Sequence, residues 1–454
     1  MKCKMQLQDK ERLAMRNTSK SITTHPTRRD FLMATGAATA GLAITGKAAA
    51  QGAKEKLAVN GGPKAITVPD AGAAKWPLYG EEEEKAMIEM VRRPNYDPID
   101  ALEKEWADFL KAPYTKAHFN GTSALVSMFF ALNLPPGSEI MVPSYTFFAT
   151  IVPMRLFGLV PVFVDINPHT LNFDLEDAKK RLTKDTKAVL PVHWIGLPSD
   201  MDYICDWAKE KGLIVLEDSA HAHGAMLKDK RMSTWGRMGI FSYQMSKPLP
   251  AIEGGMGVYQ NEDDYARASA FGDYQMKGLD KKNPYMKYAG SGLGLKLRMH
   301  PMAAALARCQ LKGLDARNEA GAAQVRRLND RLLQLPGLYE QSSGRKDVKR
   351  LYYSWNMLFI DEAQSGMKRD KVVEALKAEG VNASALHYTL QHELPLYTED
   401  EWWHHKPVIP ELPGSKQANA TSIALPYFTK DVPELCDQYV NAFEKVWAHR
   451  EELA

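Results

Sequence analysis

Three short segments carry residues whose types and spacing could do chemistry. Leu216-Glu217-Asp218-Ser219-Ala220-His221-Ala222-His223-Gly224 closes an apolar run with two acids and two imidazoles. Acids at the carboxyl ends of parallel strands lie where open α/β sheets bind ligands, although the same pair could merely cap a following helix. Gly239-Ile240-Phe241-Ser242-Tyr243-Gln244-Met245-Ser246-Lys247 sets a single lysine between an apolar strand pattern and the turn Glu253-Gly254-Gly255. A lysine so placed is expected to be buried, and burial favours the neutral amine that attacks an aldehyde. Asn120-Gly121-Thr122-Ser123-Ala124-Leu125 reads as a strand-to-helix turn. Backbone N–H groups and the dipole at such a turn favour a phosphate, though an ordinary N-cap has the same look. Lysine, acid and anion seat together match what pyridoxal phosphate requires: an amine for a Schiff base, an acid that keeps the ring nitrogen protonated, and a place for the phosphate.

These residues need a scaffold, and the sequence supplies one. Strand patterns over 139–143, 161–165, 188–193, 213–217 and 239–243 alternate with helical spacing over 122–133, 175–182 and 201–211. The alternation predicts an α/β fold with a largely parallel sheet and helices on both faces. Helices are also expected over 80–93 and 99–111, a long connecting helix over 302–335, and a smaller α+β part with 351–360, 369–379 and 432–449 as elements. The expected organisation is a leader over 1–50, a large cofactor-binding part over 51–300, the connecting helix within 301–335, and a small C-terminal part over 336–454.

From about residue 57 to 447 the chain resembles the DegT/DnrJ/StrS family of aminotransferases, which act mainly on keto sugars and keto cyclitols. The resemblance rests on the three segments above, on Pro143-Ser144-Tyr145-Thr146-Phe147-Phe148-Ala149-Thr150, and on Glu253-Gly254-Gly255. It implies a fold-type-I pyridoxal-phosphate transferase working as a homodimer with both sites at the interface. Lys247 then corresponds to the Schiff-base lysine and proton shuttle, Asp218 to the partner of the pyridine nitrogen, and His221 to the residue beside the ring hydroxyl. Thr122, Ser123 and Ser242 correspond to phosphate contacts, and Phe147 to the aromatic that stacks on the ring. One departure is Lys296, in Gly294-Leu295-Lys296-Leu297-Arg298-Met299, where the family's partner subunit usually sends an asparagine to the phosphate. A lysine can meet a phosphate there as a point charge. Another is the proline-rich run Lys247-Pro248-Leu249-Pro250. The implied reaction moves an amino group from glutamate or glutamine to a keto group on a cyclic polyol.

Other readings are weaker. A sugar dehydratase of the same lineage would carry histidine in place of Lys247. A homologue that binds cofactor or sugar without turnover stays open. An exported sugar oxidoreductase would need an early Gly-x-Gly-x-x-Gly turn, but Gly290-Ser291-Gly292-Leu293-Gly294-Leu295 comes late and lacks the last glycine. Trp402-Trp403-His404-His405 does not have zinc spacing and is expected to be a packed or rim aromatic cluster.

Charge and composition bound the partners. The 454 residues hold 58 Lys+Arg and 55 Asp+Glu, but residues 1–50 take nine of the basic and only three of the acidic ones. The remainder is slightly acidic, without the basic footprint that nucleic acid demands. Arg28-Arg29 opens an uncharged stretch over 31–46 that ends at Lys47 and Ala48-Ala49-Ala50. That stretch is shorter than the ~20 apolar residues of a membrane span. It reads as a twin-arginine export signal, implying the export machinery as a partner and a periplasmic location, or a cytoplasmic one if the signal is unused. No later segment is apolar and long enough to span a bilayer. Cys205, Cys309 and Cys436 are too few and too widely spaced for a disulfide framework, and each is expected to pack as a small buried hydrophobe.

Overall fold

A computed structural model of the chain describes residues 55–399 and 401–454. The export-signal reading of residues 1–50 lies outside them.

Seven strands form the central sheet: β1 (Tyr114–His118), β2 (Glu139–Pro143), β3 (Val160–Val164), β4 (Thr186–Val189), β5 (Ile214–Asp218), β6 (Met238–Ser242) and β7 (Gly255–Tyr259). Their spatial order is β1-β7-β6-β5-β4-β2-β3. Pairings from β3 through to β6 are parallel, while β7 runs antiparallel to both β6 and β1. β3 and β6 are nearly continuous apolar runs, as strands covered by helices on both faces must be. In chain order the first helices are α1 (Glu81–Arg92), α2 (Asp97–Leu110), α3 (Gly121–Leu132), α4 (Leu175–Arg181), α5 (Met201–Lys211) and α6 (Glu262–Gly272). Of these, α3 is apolar nearly all round and almost wholly buried, as such a helix must be.

The reading of a mostly parallel sheet holds, with β1 and β7 added. Three strands are displaced by one residue, as at β6, which covers 238–242 rather than 239–243, and β4 covers 186–189 rather than 188–193. The long helix expected over 302–335 is two helices, α7 (Pro301–Lys312) and α8 (Leu314–Leu332), broken at Gly313. Gly313 leaves the helical region with φ −105° and ψ 8°, and a Cβ there would meet Nη1 of Arg317 at 2.8 Å. Among the described residues Cys205, Cys309 and Cys436 are free thiols; Cys436 is buried, and Cys205 and Cys309 are half-buried.

A second, antiparallel sheet follows α8, with β8 (Leu338–Glu340), β9 (Trp355–Ile360) and β10 (Ser422–Pro426) in that spatial order. Helices Arg369–Ala378 and Pro433–Ala448 contribute to the core that covers it. β9 starts four residues later than the extended segment expected from 351. Its lead-in turns at Ser354, which has a φ of +61°, a region costly for a residue with a side chain. That turn presents Tyr353 and Trp355 to the cavity beside β5 and β6.

Candidate active site

At the end of β5 two neighbouring acids face opposite ways. Glu217 is fully buried and accepts from the backbone N–H groups of Ser233 (2.8 Å) and Gly236 (2.7 Å), with Nε2 of His193 at 3.1 Å. Asp218 instead lines a cavity of about 460 Å³. It accepts from Thr150 Oγ1 at 2.8 Å and from the Ala220 N–H at 3.0 Å. Thr150 Oγ1 is in turn 2.8 Å from Thr146 Oγ1. Two accepted bonds leave part of a carboxylate's capacity open. Burial pushes the Asp218 carboxyl above its ordinary value, opposed by these two bonds and by the charges of Lys247 and His193. A cationic N–H in the cavity would reverse that shift.

Lys247 enters the same cavity from the loop that joins β6 to antiparallel β7. Backbone bonds pin that loop: Tyr243 N to Gly254 O, Met245 N to Ile252 O, and Lys247 N to Gln244 O at 2.8 to 3.0 Å. Trp76 Nε1 donates to the Lys247 carbonyl at 3.2 Å. The sequence reading has Lys247 buried; it is half-buried, because its side chain ends in an open cavity rather than in the core. Its Nζ stands 4.6 Å from the ring centroid of Tyr353. Burial raises the Tyr353 hydroxyl's pKa, but the Lys247 charge and hydrogen bonds from Ser246, Ser354 and Lys247 outweigh it, and the net shift is downward.

The side wall is aromatic. His221 packs against Tyr353 (4.5 Å between centroids) and Trp194 (5.0 Å), and Trp194 against Tyr388 (4.5 Å). Burial holds His221 well below the ordinary imidazole range, with Lys247 and His223 adding to the shift. Its Nδ1 is buried without a hydrogen-bond partner. His223 lies elsewhere: its Nε2–H donates to the Ser242 carbonyl at 2.8 Å, and burial brings it down to about 3.

Asn120, Gly121 and Thr122, at the start of α3, also line the cavity, together with Ser242. Asn120 caps the helix through Oδ1, which accepts from the Ser123 N–H (2.8 Å) and hydroxyl (2.9 Å). Glycine is needed at 121, since a Cβ would meet that of Ser242 at 2.8 Å. It is also needed at 255, where a Cβ would collide with the Asn120 backbone.

An open acid, an unpartnered imidazole nitrogen, an amine and a free helix start around one cavity fit pyridoxal phosphate. The model of the DegT/DnrJ/EryC1/StrS aminotransferase family matches residues 79–444. The chain belongs to this family. It is similar to the spore coat polysaccharide biosynthesis protein SpsC of Bacillus subtilis, 28% identical over 82% of this chain and 95% of that one. It is 31% identical to a putative L-glutamine:3-amino-2,3-dideoxy-scyllo-inosose aminotransferase of Streptomyces kanamyceticus, over 75% and 78% of the two chains. Among solved structures, an aminotransferase from Psychrobacter cryohalolentis superposes with a TM-score of 0.75 at 26% identity, over 83% of this chain and 99% of that one. DesI, solved with its TDP-sugar product, gives 0.72 at 27% over 87% and 97%. The chain is therefore a pyridoxal-phosphate-dependent aminotransferase.

Within this aminotransferase the structure brings Lys247, Asp218, His221, Thr122, Ser242 and Phe147 to one cavity. Phe147 is 54% exposed and tilts against Phe148. Ser123 does not line the cavity; its hydroxyl is taken by the Asn120 cap. Lys296 is exposed and outside its own chain's cavity. Thr150, Trp194, Tyr353 and Trp355 line the site without having been singled out in the sequence. For Thr150 a signal existed, since it ends the Pro143-to-Thr150 motif. Trp403, as expected, is packed: it stacks on Tyr397 at 5.3 Å.

Proposed function

We propose that this enzyme transfers an amino group from glutamate or glutamine to the keto group of a free sugar or cyclitol, as a homodimer exported through the twin-arginine pathway. The observation that carries the reading is the convergence of Lys247 and Asp218 on one cavity that also takes in the start of α3. Bound pyridoxal phosphate supplies an aldehyde for covalent attachment of amines and a ring that withdraws electrons from them. Lys247 would hold it through Nζ and carry the proton between carbon atoms. Asp218, braced by Thr150 and Ala220, would hold a proton on the ring nitrogen. His221 would offer its open Nδ1 to the ring's polar edge, and Phe147 would cover a ring face. Thr122, Ser123 and Ser242 would receive the phosphate, Ser123 through the turn it helps cap, with Lys296 reaching it from a second subunit.

A second copy of the chain is supported by exposed apolar residues beside the site, Phe147 and Phe148 and, on the Lys247 loop, Met245 and Ile252. Patches of this kind mark interaction surfaces. Export is supported by the Arg28-Arg29 leader, and a free ring acceptor follows from export, because nucleotide-linked sugars are made in the cytoplasm. Incubation with glutamate or glutamine carrying ¹⁵N in the α-amino group and scyllo-inosose, followed by mass analysis, tests the reading. We expect the label in an aminocyclitol or in a free amino sugar when a free keto sugar replaces scyllo-inosose. Transfer to nucleotide-linked keto sugars alone would contradict the free-ring assignment.

A further inference from the structure

A second chamber, of about 350 Å³, adjoins the cofactor cavity and shares Ser246, Tyr353 and Trp355 with it. Trp76, Tyr352 and Tyr427 complete an aromatic wall, and the first turn of α8 contributes Arg317 and Asn318. The Asn318 amide is already used, donating to the His223 carbonyl at 2.8 Å. Arg317 differs. Its Nη2 donates to the Gln310 carbonyl at 2.6 Å, while its Nε–H is buried without a partner. Glu83, the acid whose charge acts on it, is engaged by Gln310 Nε2 and by the Gly80 N–H, both at 2.8 Å. Burial lowers the guanidinium's pKa from its ordinary value, and Glu83 and Tyr427 oppose this only in part. An arginine nevertheless keeps its charge at neutral pH. A half-buried cation whose Nε–H has no partner in the protein thus lines a chamber of aromatic rings, and a charge partly withdrawn from water favours an anion beside it.

We propose that this chamber binds a carboxylate carried on a compact apolar or cyclic body, with the carboxylate on Arg317 and the body against Trp76, Tyr352 and Trp355. The guanidinium edge matches the planar carboxylate, and aromatic faces suit a ring or hydrocarbon chain. The proposal rests on the aminotransferase reading of the neighbouring cavity. Its ligand is then either the distal carboxylate of the amino donor or a carboxylate on the ring of the acceptor. The rival account is that Arg317 only braces the break between α7 and α8 through Gln310, which requires no ligand at all.

Cyclohexanecarboxylate, which has no amine to react, is the probe, and cyclohexanecarboxamide is its neutral counterpart. Both are titrated by calorimetry into the full chain, with and without cofactor. The carboxylate should bind, with the amide weaker by about ten-fold or more. Arg317→Gln should bring the acid down to the level of the amide, and Arg317→Lys should retain part of the difference. The source is separated by following the cofactor's visible absorption on adding glutamate or norvaline. A raised requirement for glutamate but not norvaline in Arg317→Gln assigns the chamber to the donor. Unchanged response to both, with binding of the probe lost, assigns it to the acceptor. Equal binding of acid and amide by the natural chain overturns the proposal even if Arg317→Gln does not fold, as does equal binding of the acid by the natural chain and a folded Arg317→Gln. Failure to load cofactor would instead count against the aminotransferase reading, since the heats are also read on cofactor-free protein.

Discussion

Glu217 and Asp218 are sequence neighbours on one strand, yet they inhabit different chemistry. Glu217 points into the protein and is met by two backbone N–H groups and His193, all supplied by the fold. Asp218 points into a cavity and is met by one hydroxyl and one N–H, with capacity left over. The difference separates a carboxylate that holds the structure together from one kept for a partner. A buried polar group satisfied by its own chain reads as structural, and one left short reads as functional.

Substitutions can break this contrast. The largest expected effect is on turnover in Asp218→Asn, which keeps the shape but cannot hold a charge against a ring nitrogen. Steady-state rates should fall ~10²–10⁴-fold with no drop in melting temperature. Glu217→Ala should do the reverse. It strands two buried N–H groups and His193, costing about 3 kcal/mol or more, to be read in denaturant melts. Should Glu217→Ala lose activity while keeping its stability, the division between the two acids is wrong. Thr150→Val, which removes one hydrogen bond to Asp218, should slow turnover by about ten-fold, since bonds to charged groups are worth ~1.5–3 kcal/mol.

The smallest effect is one of pH on cofactor-free protein. Burial raises the Asp218 carboxyl's pKa above 3.8, so the folded state favours its protonated form. The corresponding stability is present below 3.8 and is lost as pH rises through the folded value. Melting curves across that range should show this loss in the natural chain and not in Asp218→Asn.

The same contrast explains what the sequence could tell. Lys247, Asp218 and the Asn120 turn were legible because each sits at a strand end or strand-to-helix junction, where local pattern reports position. Tyr353 and Trp194 were not, because they reach the cavity from remote segments, Tyr353 through a strained turn at Ser354 that no periodicity announces. β7 is hidden in the sequence for a local reason: it begins within the glycine-rich turn Glu253-Gly254-Gly255 and has another glycine at 257. Its glycines are demanded by packing, at 255 against the Asn120 backbone and at 257 against the Tyr259 ring. Likewise the helix pattern over 302–335 gives no warning of the break at Gly313, where Arg317 occupies the space a side chain would need. Burial of Lys247 was inferred from its apolar neighbours, but the cavity that keeps its side chain half-exposed is assembled from many segments.

The most direct test of the central claim is borohydride reduction of the purified, cofactor-loaded chain followed by peptide mapping. The account predicts a yellow protein whose reduced cofactor is recovered on the peptide carrying Lys247, with no label fixed in Lys247→Ala. Label on a different lysine, or a chain that stays colourless after incubation with pyridoxal phosphate, would contradict it.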